Sequence, residues 1–331
     1  MKQLVVQFLA VGVSSFLVTA ILCHYIIPAL EKKHIGQSIR AEGPQSHLTK
    51  AGTPTMGGIC FITGMLLVLL AVAIIFFVNG KQNQLIPLAL TLCLALANGL
   101  IGLLDDYKKL LRKENEGLTA QQKFLLQCLV AALYLVVLTV TDNIDTSIHI
   151  PFTDIMLELG IGYYAAAMLF IVGIVNSVNL TDGVDGLATS MTIVVTAFIA
   201  FVGLNYLNVS MTLLAALLMG SLLAFLRKNC HVADVFMGDT GSLFLGGALA
   251  GAAFVINDMF AVAIGCGMFV FEMITVIIQV VVFKASGRKK RVFKMTPIHH
   301  HYELSGWSEN KIVLVFSAIT LALCVAAWFA L

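Results

Sequence analysis

The segment Phe236-Met237-Gly238-Asp239-Thr240-Gly241-Ser242 places one carboxylate between two glycines, where a polar loop gives way to an apolar run. An Asp or Thr before such a run is typical of a helix N-cap, and the first-turn N–H groups beyond it point toward any bound anion. Because a carboxylate alone would repel a phosphate bound there, Asp239 favours a divalent cation between the two. The alternative is a capped helix start with turn glycines.

The composition around this segment is that of an integral membrane protein. Of the 331 residues, 59% are apolar and 11% charged, against about 45–50% and about 25% in soluble domains. Ten apolar stretches approach or exceed the roughly 20 residues that span a bilayer. They cover residues 4–28, 56–78, 85–104, 122–141, 160–178, 187–207, 209–226, 241–257, 259–283 and 311–330. The sequence therefore predicts an all-α polytopic membrane protein with a single transmembrane domain over residues 1–331.

The basic residues predict its orientation, because loops kept in the cytoplasm are enriched in Lys and Arg. If both termini lie outside, all but two of the 20 lysines and arginines fall on inside segments, the exceptions being Lys2 and Lys81. The predicted cytoplasmic face therefore attracts anionic lipids and anionic substrates.

Two adjacent acids, Asp105 and Asp106, close the third predicted span. At a helix C-terminus they face the negative end of the dipole and each other, which is unfavourable without cations. Lys108 and Lys109 are the neighbouring cations, and interfacial acids neutralised by them are the alternative to a site. Asn98 shares a helical face with Asp105, so a polar stripe runs into the span, as a site would require.

The fifth predicted span closes with a second polar group. Asn176 and Asn179 share a helical face, and two Asp-Gly pairs, at Asp182 and Asp185, are turn signals that end the helix. This inside loop contains no Lys or Arg, so its acids lack local partners. The pattern predicts amides and acids gathered at one corner of the cytoplasmic face.

Three other inside segments carry candidate residues. Lys50 precedes a Gly- and Pro-rich stretch that would hold its side chain at the membrane surface beside the site. The alternative is that Lys50 is only one of the basic residues that keep this loop in the cytoplasm. Phe236 is either an interfacial aromatic or a ring that stacks on a base. His299, His300 and His301 diverge by about 100° each on a helix, which suits separate hydrogen bonds to phosphate or base rather than one zinc ion.

Two further patterns concern packing. Glu272 lies inside the ninth predicted span on one face with Gln279, and an acid at that depth normally faces the bundle interior. We expect it to hydrogen-bond a neighbouring helix. Residues 142–159 lack Lys and Arg, and they predict an outside loop with a small hairpin.

All the unusual motifs fall on predicted inside loops. Together they offer acids for a divalent metal, a lysine and histidines for phosphate oxygens, and amides for a base or sugar. This inventory suits phosphoryl transfer, where catalysis is mainly positioning and charge neutralisation. The sequence has neither a P-loop nor a Gly-x-Gly-x-x-Gly motif, so ATP hydrolysis and dinucleotide binding lack support. No nucleic-acid partner is expected.

Five segments taken together resemble a known family. They are Lys50–Gly58, Asp105–Asp106, Asn179–Gly186, Phe236–Ser242 and Pro297–His301. The set is similar to the phospho-N-acetylmuramoyl-pentapeptide transferases, a branch of the polyprenyl-phosphate N-acetylhexosamine-1-phosphate transferase superfamily. The double Asp and the Asp-Gly-x-Asp-Gly pattern occur across the superfamily, whereas the first and last segments point to the muramoyl branch.

The resemblance implies a reaction in the bacterial plasma membrane. Undecaprenyl phosphate would attack the β-phosphate of UDP-MurNAc-pentapeptide, releasing UMP and forming lipid I for peptidoglycan synthesis. It implies Mg²⁺ bound at Asp239, with Asp105, Asp106 and Asp239 as catalytic acids. The expected substrate-binding residues are Lys50, Asn176, Asn179, Asp182, Asp185, Asn229, Phe236, His299 and His300. A homodimer is the candidate assembly, and membrane lipids are the surrounding partners.

Two other functions are alternatives. A sister enzyme would use UDP-GlcNAc as the sugar donor. A secondary transporter would place polar residues near the bilayer midplane and contain internal repeats, whereas this sequence concentrates its acids at one face and shows no convincing repeat. A direct attack by the lipid phosphate and a covalent aspartyl intermediate are both left open.

Overall fold

The computed structural model describes residues 1–32, 52–112 and 117–331, and these residues form a bundle of helices. Ten helices are long and apolar enough to cross a membrane. They are α1 (Lys2–Lys32), α2 (Gly58–Val78), α3 (Ile86–Arg112), α4 (Ala120–Val140), α5 (Ile161–Thr181), α6 (Leu187–Asn205), α7 (Val209–Asn229), α8 (Gly238–Ile256), α10 (Gly267–Ala285) and α12 (Glu309–Ala330). Two short helices, α9 (Met259–Gly265) and α11 (Ile298–Glu303), complete the set. The ten predicted spans are thus confirmed within the described ranges.

The structure corrects two boundaries. The predicted ninth span is broken at Cys266, which lies between two glycines and joins α9 to α10 with φ −86° and ψ 8°. Glycine is a weak helix former, and hydropathy does not register the break because the segment stays apolar. Helix α3 continues eight residues past its predicted end at 104, since Lys109 pairs with Asp105 one turn earlier and keeps the charges inside the helix.

Helices α7 and α8 form the centre of the bundle, and the residues of α8 from Thr240 to Ala253 are all buried. Small residues allow the close contact between α8 and α3. A methyl group on Gly247 would lie 2.8 Å from the Cα of Ala95, and one on Gly251 would lie 2.7 Å from the side chain of Thr91. Without a hydrophobic force between helices in lipid, such close backbone packing is a main source of association.

The two ends of the bundle differ in chemistry. At one end, β1 (Ser147–His149) and β2 (Met156–Glu158) form the predicted antiparallel hairpin, and His149 Nδ1 lies 3.0 Å from a carboxylate oxygen of Asp258. The other end holds the C-termini of α3 and α5 and the N-termini of α4 and α8, with Asp105, Asp106, Asp182 and Asp239. Which end faces the cytoplasm stays a prediction.

Candidate active site

The site begins where the last turns of α3 meet the first turn of α8. A methyl group on Gly102 would lie 2.1 Å from the carbonyl oxygen of Asp239, so only glycine permits this contact. One turn further along α3, the Asp106 carboxylate accepts hydrogen bonds from Asp239 N (3.2 Å), Thr240 N (2.9 Å) and Thr240 Oγ1 (2.7 Å). A side chain of α3 therefore caps α8.

This capping corrects the prediction for the opening segment. Helix α8 begins at Gly238, and the residue before it, Met237, makes no side-chain cap. Asp239 is thus a first-turn residue rather than the N-cap, and the first-turn N–H groups expected to face a phosphate are bonded to Asp106. The helix N-terminus does attract an anion, as its dipole predicts, but that anion is a carboxylate of the protein itself.

Asp239 is the meeting point of four helices. Its Oδ2 lies 3.1 Å from Lys109 Nζ of α3 and 2.8 Å from Lys123 Nζ of α4. Its Oδ1 accepts a hydrogen bond of 2.9 Å from Asn179 Nδ2 of α5. Lys109 also contacts Asp105 Oδ2 at 2.6 Å. The structure thus brings together four of the residues singled out in the sequence, namely Asp105, Asp106, Asn179 and Asp239.

The three acids fit a divalent cation. One oxygen each from Asp105, Asp106 and Asp239 can be chosen so that all three lie within 4.8 Å of one another. Carboxylate oxygens are the ligands that Mg²⁺ prefers. The Lys109 ammonium lies among the same oxygens, 4.0 Å from Asp106 Oδ1 and closer to the other two acids. The ammonium group of Lys109 therefore places one positive charge where a divalent metal ion would place two.

Asp182 follows α5 directly as its C-cap residue. Loss of hydration and the negative charges of Asp239, Asp106 and Asp185 raise the pKa of the Asp182 carboxyl to about 8. Within the described part of the chain, none of the causes that act on this carboxyl lowers its pKa. Such a perturbed acid beside a charged cluster is typical of a functional site.

Two of the three histidines reach the same corner. A methyl group on Gly183 would lie 2.4 Å from His299 Nε2 and 3.3 Å from His300 Nε2, so both rings pack against the turn that follows Asp182. His301 lies apart, where its Nδ1 accepts a hydrogen bond from the backbone of Lys294. The rings of His299 and His300 therefore share one corner, with centroids 4.1 Å apart, whereas His301 has a separate environment.

Backbone hydrogen bonds join the opening segment to the Gly- and Pro-rich stretch before α2. Phe236 N donates to Pro54 O at 2.8 Å, and Gly57 N and Gly58 N donate to the carbonyl oxygens of Phe236 and Met237 at 2.9 Å each. The Phe236 side chain is half-buried. Lys50 lies outside the described residues, so its placement stays a prediction.

Three predicted binding residues do not contact the acid cluster. Asn176 donates to Gln127 Oε1 at 2.7 Å, further into the bundle. Asn229 bonds to a threonine hydroxyl and a backbone carbonyl. Asp185 accepts a backbone N–H at 3.1 Å and lies 3.4 Å from His231 Nδ1. These contacts support the loops around the site, and a direct role in substrate binding stays a prediction.

Lys123 was predicted only as a positive-inside charge, and its place in the site was not foreseen. A usable signal was present, because Lys123 and Gln127 are four residues apart on one face of an otherwise apolar span. In the structure Gln127 is buried beside Asn176 and Lys123 pairs with Asp239. Lys109 was considered only as a local counter-ion for Asp105 and Asp106, and its contact with Asp239 was not foreseen.

A bundle of membrane helices with acids, lysines and amides gathered at one end suits a membrane-embedded phosphoglycosyl transferase, and similarity to known proteins assigns the chain to that class. The model described as glycosyl transferase family 4 matches residues 88–257, and the phospho-N-acetylmuramoyl-pentapeptide-transferase signature 1 matches residues 50–62. The chain belongs to the phospho-N-acetylmuramoyl-pentapeptide transferase family, which confirms the resemblance found in the sequence.

Curated relatives support this membership along almost the whole chain. A phospho-N-acetylmuramoyl-pentapeptide-transferase of Clostridium perfringens (strain SM101) is 46% identical over 320 residues, covering 96% of this chain and 95% of the relative. Proteins of the same name from Staphylococcus carnosus and Staphylococcus aureus (strain JH9) are each 43% identical. They cover 92% and 93% of this chain, and 93% and 94% of their own lengths. The names favour the muramoyl branch over the UDP-GlcNAc alternative.

Proposed function

We propose that this protein transfers phospho-MurNAc-pentapeptide from UDP-MurNAc-pentapeptide to undecaprenyl phosphate, releasing UMP and forming lipid I. Family membership supports the substrates. The single observation that carries the site is Asp239, whose carboxylate is joined to Lys109, Lys123 and Asn179 from three other helices. A cluster of this kind positions charge for phosphoryl transfer.

We include Mg²⁺ in the proposal, held by Asp105, Asp106 and Asp239. When bound, it would neutralise the diphosphate and the charge that develops on the departing UMP. The other side chains position and neutralise the reacting groups. The ammonium groups of Lys109 and Lys123 pair with the acids and offset part of their negative charge. The lipid phosphate is already an anionic nucleophile at pH 7, so orientation contributes more than activation by a strong base.

The proposed active site faces the cytoplasm. The distribution of Lys and Arg supports this orientation, and the exposed Cys230 lies at the same end of the bundle, beside Gly186. A membrane-impermeant maleimide should label Cys230 in inverted vesicles and not in intact cells, with Cys230→Ser as the control. Labelling from outside intact cells would reverse the orientation. A homodimer stays a prediction, which light scattering in detergent would check.

The deciding assay measures UMP release by purified protein with undecaprenyl phosphate and either nucleotide sugar. We expect turnover with UDP-MurNAc-pentapeptide and not with UDP-GlcNAc, and loss of turnover on chelation of Mg²⁺. Asp239→Asn should abolish UMP release. Asp234→Asn is the matched control, because Asp234 is exposed and pairs only with Lys228 among the described residues. Turnover restricted to UDP-GlcNAc, or full activity of Asp239→Asn, would refute the proposal.

A further inference from the structure

Glu272 and His299 form a fully buried pair between α10 and α11. His299 Nδ1 lies 3.0 Å from Glu272 Oε1, and neither side chain is exposed. The expectation that Glu272 would hydrogen-bond a neighbouring helix is thus confirmed. An acid and an imidazole buried this deeply carry a large desolvation cost, so the pair calls for an explanation beyond ordinary packing.

The pair leaves one polar atom at each end without a partner. Among the described residues, Glu272 Oε2 and His299 Nε2 are buried and make no hydrogen bond. Orphaned buried groups of this kind are rare, because each costs about 1–3 kcal/mol. His299 Nε2 is aimed at the turn after Asp182, where even a methyl group on Gly183 would lie 2.4 Å away. The unpartnered nitrogen therefore lies at the corner already assigned to the site.

The chemistry of a carboxylate bonded to Nδ1 is well defined. It holds the imidazole ring in one orientation, with Nδ1–H donating to the carboxylate, and it leaves Nε2 for another partner. Gln279, two turns further along α10, bonds through its side chain to the backbone of Val292 and Phe293. The polar face of α10 thus holds both the loop before α11 and the ring of His299.

We propose that Glu272 is a positioning residue that fixes His299 so that Nε2 meets an oxygen of the sugar diphosphate. This inference rests on the proposed transfer reaction and adds to it a residue inside a membrane helix that does not itself touch the substrate. In this structure Gly183 packs directly on Nε2, so the turn that follows Asp182 has to shift slightly for an oxygen of the diphosphate to reach the nitrogen.

A double-mutant cycle tests the inference with the purified full chain. Glu272→Ala should lower kcat by about 10- to 100-fold, the usual loss when a residue that orients a functional side chain is removed. His299→Ala should lower it at least as much. Because Glu272 acts only through His299, the double variant should lose no more than His299→Ala alone. Losses that multiply would overturn the inference.

Two further variants separate positioning from general damage. Glu272→Gln retains an oxygen that accepts the Nδ1 hydrogen bond, so it should recover most of the activity lost in Glu272→Ala. Gln279→Ala on the same helix is the control for a loosened loop before α11, and it should lower kcat by less than Glu272→Ala does. If only the inference is wrong, the wild type releases UMP and Glu272→Ala releases it at the same rate. If the proposed function is wrong, the wild type itself releases no UMP.

Discussion

Replacing Asp106 by Asn tests whether this acid organises the start of α8. The Asp106 carboxylate accepts three hydrogen bonds from Asp239 and Thr240, at 2.7 to 3.2 Å, across 133 residues or more of sequence. Asn has one carbonyl oxygen. It can keep the two bonds from Thr240, but its NH₂ group then faces the N–H of Asp239.

The cost follows from those contacts. An unpaired, partly buried N–H costs about 1–3 kcal/mol. Loss of the negative charge at the helix N-terminus costs up to about 1 kcal/mol, but it also relieves repulsion from Asp105 and Asp239, and these two effects offset each other. Asp106→Asn should therefore lower the free energy of unfolding by about 1–3 kcal/mol. At about 2 °C per kcal/mol for a chain of this size, the melting temperature should fall by about 2–6 °C.

The assay is thermal unfolding in detergent with chelator present, so that stability is measured apart from metal binding. Asp234→Asn is the matched control, because this exposed side chain pairs only with Lys228 among the described residues. It should shift the melting temperature by less than about 2 °C. Equal shifts for the two variants, or an unchanged Asp106→Asn, would refute the capping role.

Two other predictions concern packing and pH. Gly102→Ala should lower both the melting temperature and UMP release, because its methyl group would lie 2.1 Å from the Asp239 carbonyl oxygen; Gly173→Ala, with no atom within 4 Å, should lower neither. Because the pKa of Asp182 is raised to about 8, the folded protein keeps a proton that the unfolded chain releases near pH 4. This group's contribution to stability should therefore fall between about pH 4 and about pH 8 and then level off. Asp182→Asn should remove this component from melting curves measured across that range, and an unchanged pH profile would contradict the assignment.

The membrane layout was predictable because hydropathy belongs to each segment separately. Each predicted span contains a helix, and the hairpin at residues 147–158 appears where acidic, alternating residues indicated it. The break at Cys266 was not predictable in this way, since its flanking residues are as apolar as the helices they join. Hydropathy measures solvation of side chains and carries no information about the backbone dihedrals that interrupt the helix at Cys266.

The sequence predicted which residues belong to the site, but it did not predict which contacts join them. Asp105, Asn179 and Asp239 lie near span ends that the same topology places on one side, so they were expected to meet. Sequence spacing does not show that Asp106 caps a helix 133 residues away, because that contact depends on how α3 and α8 pack. It also does not separate Lys123, which pairs with Asp239, from a lysine that only sets topology.

The balance of charge in the cluster gives its lysines and the proposed Mg²⁺ different tasks. When all groups are ionised, Asp105, Asp106 and Asp239 face the ammonium groups of Lys109 and Lys123, so negative charge is in excess. The lysines hold the acids together across α3, α4 and α8, yet the excess would still repel a diphosphate. A divalent cation would reverse that sign. The lysines are therefore suited to assembling the site, and the proposed Mg²⁺ would determine when a diphosphate can enter it.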